Sequence, residues 1–526
     1  MPPRRKASAK RAQMKRPRGA DSTAVASPDL PVPVPCSGEG AEWTTARVDG
    51  PPLPAWADHF AGLLIPQFRQ LQSKVGGHGL ELTFWSDCGG FAMELIAMRE
   101  IAASIARLVG LRLTTKLFCF CDNDATCRRF AADNHMPLHM SSDVQHRNFA
   151  DGTFHCITCG EDHAFPHNIG VYVCCFPCGP WSRKGKQLGF RDAAGEVVWQ
   201  ALKTIAALKP GVLFMENVTA ISCSYSSPGL SVSDLDHICR RMETELPGYR
   251  LLTLQNIDPT LMGFPARRNR VALIGARQNL IAPTALQATF GLMLSNPLAV
   301  QHDWHAFLGK ARRVDLSRVG ARATPEERLA ILQSGCACAF DPAVLCKIHA
   351  CGCRVCKGGE MGQCAWRSRH RKYIEDHYVS GSLPYDDLIA LSSSLITYCQ
   401  AVEAQGVVMP SAPRERNLIN VVAAETGVQP LHTTLALLDK TQSLGRTSTR
   451  VDGSVPTLGV NSSLFSLGTA STLTTAEVAR LMGHELQTLN LQNISERQFR
   501  GMIGMSLHKG TAGVLMLGLL ASLGAV

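Results

Sequence analysis

This chain has no apolar stretch long enough to cross a bilayer. Its most apolar segment, residues 510–526, runs for 17 residues, short of the roughly 20 that a spanning helix needs. It is expected to pack as a helix against a core, and no membrane partner is expected. No apolar segment near residue 1 has the make-up of a secretion signal, so the 20 cysteines are read as reduced thiols rather than a disulfide framework. No internal repeat is present. Acids are missing from residues 1–18, which hold eight basic residues, Arg4, Arg5, Lys6, Lys10, Arg11, Lys15, Arg16 and Arg18. That segment runs into Pro28, Pro31, Pro33 and Pro35, and such a composition buries too little apolar surface to fold. Residues 1–50 are read as a disordered basic, proline-rich tail whose two basic clusters suit nuclear import and non-specific phosphate binding.

The rest is globular material. The 526 residues are 45% hydrophobic and 18% charged, enough for two or three domains with sizeable cores. A formal net charge of +10 and a pI near 8.8 favour an anionic partner. Residues 78–280 alternate short apolar runs (82–85, 117–121, 171–176, 212–215 and 271–274) with longer amphipathic segments. That is the pattern of βαβ units whose strands are buried on both faces of a sheet. The expected fold is α/β and Rossmann-like, a mostly parallel sheet with helices on both faces. Residues 281–445 lose the regularity and read as a smaller, irregular domain, and residues 446–526 return to the core.

The first strand ends in Phe84, Trp85, Ser86, Asp87, Cys88, Gly89, Gly90 and Phe91, with a helical pattern from Ala92. Glycines at a strand-to-helix turn let a ligand approach the backbone, and a new helix offers unpaired amides. The second strand ends at Cys121, before Asp122 and Asp124, where Rossmann-like folds place an acid on ribose hydroxyls. Asp122 suits that role. Asp143 would end the third strand, where a carboxylate accepts from an adenine amino group.

Residues 171–182, VYVCCFPCGPWS, read as a buried strand broken at Pro177 that presents Cys178 on the next loop, near Arg183, Lys184 and Lys186. A thiol so placed is set for reactivity. A later strand ends in Glu216, Asn217 and Val218, and another is preceded by Gly263, Phe264, Pro265, Ala266, Arg267, Arg268, Asn269 and Arg270. In this order the motifs resemble the signature set of the cytosine C5-specific DNA methyltransferase family. The resemblance continues in TQSLGR from Thr441, in Pro456, Thr457 and Leu458, in LTTAEVARLMG from Leu473 and in GMSL from Gly504. It covers about residues 80–280 and 440–526, leaving the middle as the family's variable target recognition domain.

The resemblance implies a class I S-adenosylmethionine-dependent methyltransferase with DNA as partner. Trp85, Ser86, Asp87, Cys88, Gly89, Gly90, Asp122, Asp143 and Pro177 would bind the cofactor. Cys178 would add to carbon 6 of a cytosine, Glu216 would protonate or hydrogen-bond ring nitrogen 3, and Arg268 and Arg270 would orient the base. The base must be flipped from the duplex at a cost of a few kcal/mol. Ser182, Arg183, Lys184 and Lys186, on a loop hinged at Gly185 and Gly189, would close over it and touch phosphates. The chain departs from the family at Asp87, where a glycine is usual, at Gly179 for glutamine or asparagine, at Ala266 for glutamine, and at Met505 for asparagine; Trp85 fills the place of an adenine-stacking aromatic. A transfer RNA cytosine methyltransferase with the same residues is the alternative within the family. A catalytically silent nucleic-acid-binding regulator is the alternative outside it, against which the intact Cys178 and Glu216 argue.

Two thiol clusters remain. Cys336, Cys338, Cys346, Cys351, Cys353, Cys356 and Cys364 crowd seven thiols into 29 residues, spacings that suit structural zinc. Cys156, Cys159, His163 and His167 form a C-x2-C-x3-H-x3-H run suited to a single zinc.

Deleting residues 1–18 should move the protein from nucleus to cytoplasm while leaving methyl transfer to short duplexes largely intact. Imaging of tagged full-length and truncated chains checks this, and an unchanged nuclear distribution would remove the import reading.

Overall fold

A computed structural model describes residues 48–309 and 398–525, except 49, 77–78, 168, 184, 225, 227–230, 427–435, 443–448 and 461. The strands in chain order are β1 (Leu80–Asp87), β2 (Leu113–Cys121), β3 (His139–Ser141), β4 (Thr153–His155), β5 (Asp162–Ala164), β6 (Val171–Cys174), β7 (Val212–Val218), β8 (Tyr249–Ile257) and β9 (Arg270–Arg277), then β10 (Leu437–Asp439), β11 (Leu464–Ser466) and β12 (Ser471–Thr472). The helices are α1 (Trp56–Leu63), α2 (Ile65–Lys74), α3 (Met93–Val109), α4 (Ala125–His135), α5 (Val197–Leu208), α6 (Asp234–Glu245), α7 (Ala285–Ser295), α8 (Trp304–Phe307), α9 (Tyr398–Glu403), α10 (Pro413–Thr426), α11 (Thr475–Leu481), α12 (Glu496–Met505) and α13 (Lys509–Gly524).

Seven strands form one sheet in the order β3-β2-β1-β6-β7-β9-β8. All pairs from β3 to β7 are parallel, and β9 runs antiparallel to both its neighbours. This is a Rossmann-like, mostly parallel sheet with helices on both faces. Because successive side chains alternate, Val171, Val173 and Phe214 enter a core shared with α1, α3 and α13. Tyr172, Cys174, Leu213 and Met215 enter a second core with α5 and α6. Strand order reverses between β1 and β6, and the crevice at such a switch point is where doubly wound sheets bind ligands.

The apolar segment at 510–526 becomes α13, which packs against α1, α2, α3 and α7 and is buried on all sides, as a helix without a polar face requires. No single helix among the described residues is long and apolar enough to cross a membrane. Two sequence patterns fold as helix starts: Thr474 and Glu477 form a reciprocal cap on α11, as do Ser495 and Gln498 on α12. The core also reaches back to Trp56 and Phe60, ahead of residue 78. Strand β8 was not among the apolar runs read from the sequence. It is only partly buried, with a break in register between Leu254 and Ile257, so it lacks the continuous apolar run of an interior strand.

Close packing of α13 depends on a missing side chain. A Cβ at Gly513 would lie 2.0 Å from the Trp56 ring, and Trp56 is fully buried. Gly513→Ala is expected to destabilise the fold by about 1–3 kcal/mol through overpacking, read as a lowered urea midpoint; an unchanged midpoint would contradict this packing.

Candidate active site

The edge formed by the carboxyl ends of β1, β2, β3, β6 and β7 collects the sequence motifs. After Asp87 the chain turns through Cys88 (φ 50°) and Gly90 (φ 52°) before α3 begins. A Cβ on Gly89 would lie 2.4 Å from the Phe120 ring and 2.7 Å from Ser86 Oγ, whereas the Cβ position of Gly90 opens on free space. The Asp122 carboxylate accepts from the Gly90 amide at 2.9 Å and from the Asp124 amide at 2.9 Å. Burial raises its pKa, against the pull of those amides. Asp143 caps the turn after β3 by accepting from the Gln145 amide at 2.9 Å. Cys88, Gly89, Gly90, Asp122, Asp143 and Pro177 remain partly exposed on this edge, so an open glycine turn flanked by two strand-end carboxylates fits a nucleoside-bearing cofactor.

Trp85 and Asp87 have their side chains elsewhere. Asp87 is fully buried and accepts from Trp85 Nε1 at 2.9 Å, from the Tyr172 hydroxyl at 2.8 Å, and from both Arg147 terminal nitrogens, one of them at 2.6 Å. These four donors use the acceptor capacity of a carboxylate. The Trp85 ring is also fully buried, with Phe154 edge-on at 4.9 Å, Phe118 stacked at 6.1 Å and the Arg147 guanidinium 5.2 Å from its centroid. Ser86 is buried as well. Any cofactor contact from these three positions therefore falls to the backbone. Arg147 and Tyr172 were not found from the sequence: Arg147 lies 60 residues from Asp87, and no local pattern marks that pair.

On the chemical side, Cys178 is half-buried on the loop after β6. Its carbonyl accepts from the Trp181 and Ser182 amides at 3.0 and 2.9 Å, and Asn217 Nδ2 donates to the Phe176 carbonyl at 3.0 Å. The loop is thus fixed on both sides of Pro177. Glu216, at the end of β7, is buried and forms an ion pair with Arg270 Nε at 2.5 Å. Strand register sets this pair, because antiparallel β9 brings its first residue beside the end of β7. Burial raises the pKa of Cys175 well above the thiol range, with Glu216 and Glu94 adding to the effect, and burial likewise raises Cys174 although Cys88 opposes it.

Arg268 takes a different part from Arg270. Its guanidinium donates to the carbonyls of Leu458 at 3.2 Å, Gly504 at 3.4 Å and Ser506, and its amide donates to Asp258 at 2.9 Å. Burial and then Arg270 lower its pKa to about 9, which leaves it cationic at neutral pH. It therefore ties the two halves of the chain behind the Glu216–Arg270 pair, a bond reinforced where residues 265–267 exchange backbone hydrogen bonds with Val455.

The basic loop is anchored from beneath, with Trp181 Nε1 donating to Asp234 at 2.8 Å. Gly189 has a φ of +55°, and a Cβ there would lie 1.9 Å from Ser226 Oγ. Ser182 is half-buried, and Arg183 and Lys186 are exposed, Lys186 pairing with Asp192 at 3.1 Å. Lys184, Cys336, Cys338, Cys346, Cys351, Cys353, Cys356 and Cys364 lie outside the described residues. Every cysteine among the described residues is a free thiol.

Residues 141–300 match the family model of the C-5 cytosine-specific DNA methylases. Similar curated proteins are the type II methyltransferase M.PspPI of Psychrobacter sp. (strain TA137), 33% identical over 105 residues that cover 20% of this chain and 24% of that protein, and the type II methyltransferase M.HhaI of Haemophilus parahaemolyticus, 28% identical over 147 residues that cover 27% and 40%. The matched stretches thus span less than half of the length of these relatives. Among solved structures, a DNMT2 variant of Spodoptera frugiperda aligns with a TM-score of 0.37 at 15% identity, covering 83% of this chain and 99% of that one. A putative DNA modification methyltransferase from an E. coli prophage aligns with a TM-score of 0.42 at 14% identity, covering 83% and 98%.

Glu94, in the first turn of α3, is 2% exposed, and desolvation raises its carboxyl to about 7, against the pull of the Ser86 hydroxyl and its own amide. An unfolded Glu titrates at about 4.3, so the folded chain holds this proton more tightly. The stability carried by that proton is full below the unfolded value and is lost as pH rises through the folded one. Glu94→Gln is therefore expected to raise stability at about pH 8 by on the order of 2–3 kcal/mol, a gain that shrinks towards about pH 4. Urea midpoints across this range check it; a variant less stable than the parent at the alkaline end would contradict a desolvated Glu94.

Proposed function

We propose that this chain, whose residues 141–300 match the family model of the C-5 cytosine-specific DNA methylases, transfers a methyl group to carbon 5 of a flipped cytosine in DNA through a covalent adduct with Cys178. The observation that carries this reading is a partly exposed thiol on a braced Pro-Cys loop, one strand away from a buried Glu216–Arg270 pair. S-adenosylmethionine supplies the methyl group when bound, held by Cys88, Gly89, Gly90, Asp122, Asp143 and Pro177. The Cys178 thiolate bonds to carbon 6, and the displaced electron pair moves into the ring towards nitrogen 3. Glu216 delivers or shares a proton there, and Arg270 holds that carboxyl in place. Once carbon 5 is methylated, loss of its proton and cleavage of the carbon–sulfur bond restore the aromatic ring and the thiolate. Cys174 and Cys175 are poor candidates for the nucleophile because burial keeps their thiols protonated.

DNA as substrate is supported by the family description and by the net charge of +10. Nuclear import through residues 1–18 and structural zinc at 336–364 belong to the same proposal.

A duplex carrying 5-fluorocytosine should trap the enzyme, since fluorine cannot leave as a cation, giving a denaturation-resistant adduct only when S-adenosylmethionine is present. Cys178→Ser should abolish the adduct, and Glu216→Gln should slow its formation by about 10²–10⁴. Parallel incubation of duplex DNA and transfer RNA with labelled S-adenosylmethionine reads the substrate class. Label on transfer RNA alone would reassign the substrate, and no adduct on either polymer would favour the silent binder.

A further inference from the structure

Ahead of β6 the chain inserts the β4–β5 hairpin, whose Phe154 and Phe165 rings lie 4.9 and 5.9 Å from Trp85. Its tip reads Cys156, Ile157, Thr158, Cys159, Gly160, Glu161. The Gly160 amide donates to the Cys156 carbonyl at 2.8 Å, and the Ile157 amide donates to the Met140 carbonyl at 2.8 Å, which fastens the tip to β3. The first residue of β3 is His139, so this topology sets a histidine from the sheet beside two cysteines and a histidine of the hairpin.

Two trios of ligand atoms meet at His163. Those of His139, Cys156 and His163 all lie within 4.8 Å of one another, as do those of Cys159, Glu161 and His163. The sulfur of Cys159 is 3.0 Å from His163 Nε2, and the His139 and His163 ring centroids are 4.2 Å apart. Nδ1 of His139 is buried and has no hydrogen-bond partner among the described residues. Around tetrahedral zinc, with Zn–S near ~2.3 Å and Zn–N near ~2.0 Å, neighbouring donors stand about 3–4 Å apart. Small side-chain rotations therefore bring this cluster to coordination distance.

We propose that His139, Cys156, Cys159 and His163 form a closed Cys2His2 structural zinc site that staples the β4–β5 hairpin to β3. The spacing in the sequence suggested His167 as the fourth ligand, but only the helical rise sets residues i and i+4 side by side. His163 lies in β5, which ends at Ala164, and His167 is exposed beyond it and shares no cluster of ligand atoms with the hairpin thiols. By fixing the hairpin, the ion would hold Phe154 and Phe165 over Trp85 without touching the catalytic pair.

The test measures zinc per chain in purified full-length protein. Cys156→Ser with Cys159→Ser should lower it by about one equivalent relative to the parent, and His139→Ala should do the same. His167→Ala and Glu161→Gln should leave it unchanged. Because a difference is read, any zinc held at 336–364 cancels. Cobalt substitution gives a second measurement: in Cys159→Ser, whose thiol is exposed and makes no core contact, the site's thiolate-to-cobalt charge-transfer absorption should fall by about half. Zinc content unaltered in the double variant, or reduced by His167→Ala but not by His139→Ala, would overturn the site.

Discussion

A carboxylate in an apolar interior must be paired, and the Asp87–Arg147 ion pair is the constraint on which this half of the molecule is arranged. Removing either partner of a fully buried pair typically costs about 3–5 kcal/mol, because the other charge is left uncompensated. Asp87 stands at the end of β1, where the family resemblance led us to expect a glycine. Its carboxylate needs the Arg147 guanidinium, the Tyr172 hydroxyl and the Trp85 indole together. That requirement determines where the segment after β3 must lie, and the hairpin that follows closes over Trp85 with Phe154 and Phe165. The inserted hairpin is thus part of the support beneath the first glycine turn.

Two arginines two positions apart divide the work at the other end of the site. Arg270 is the first residue of β9 and meets Glu216 because β9 runs antiparallel to β7. Arg268 precedes the strand and turns to carbonyls supplied by residues 458, 504 and 506. The Glu216 carboxylate is therefore buttressed by the last part of the chain, although every strand of the main sheet comes from residues 80–277. Substitution of Met505, where the family has asparagine, falls beside this junction at an exposed position, so the Arg268 bonds use its neighbours' backbone rather than its side chain.

Local pattern carried much of this protein. Buried strands declared themselves as continuous apolar runs, Pro177 marked the break that exposes Cys178, and residues 510–526 had no polar face to offer solvent. Each follows from side-chain period or turn stereochemistry, which act within a few residues. Tertiary structure alone decided which charges meet: Arg147 with Asp87 across 60 residues, Arg268 with the carbonyl ends of a segment more than 180 residues away, and His139 rather than His167 beside the hairpin thiols. Those partnerships depend on strand order and register, and nothing in a short window of sequence encodes which strand will lie next to which.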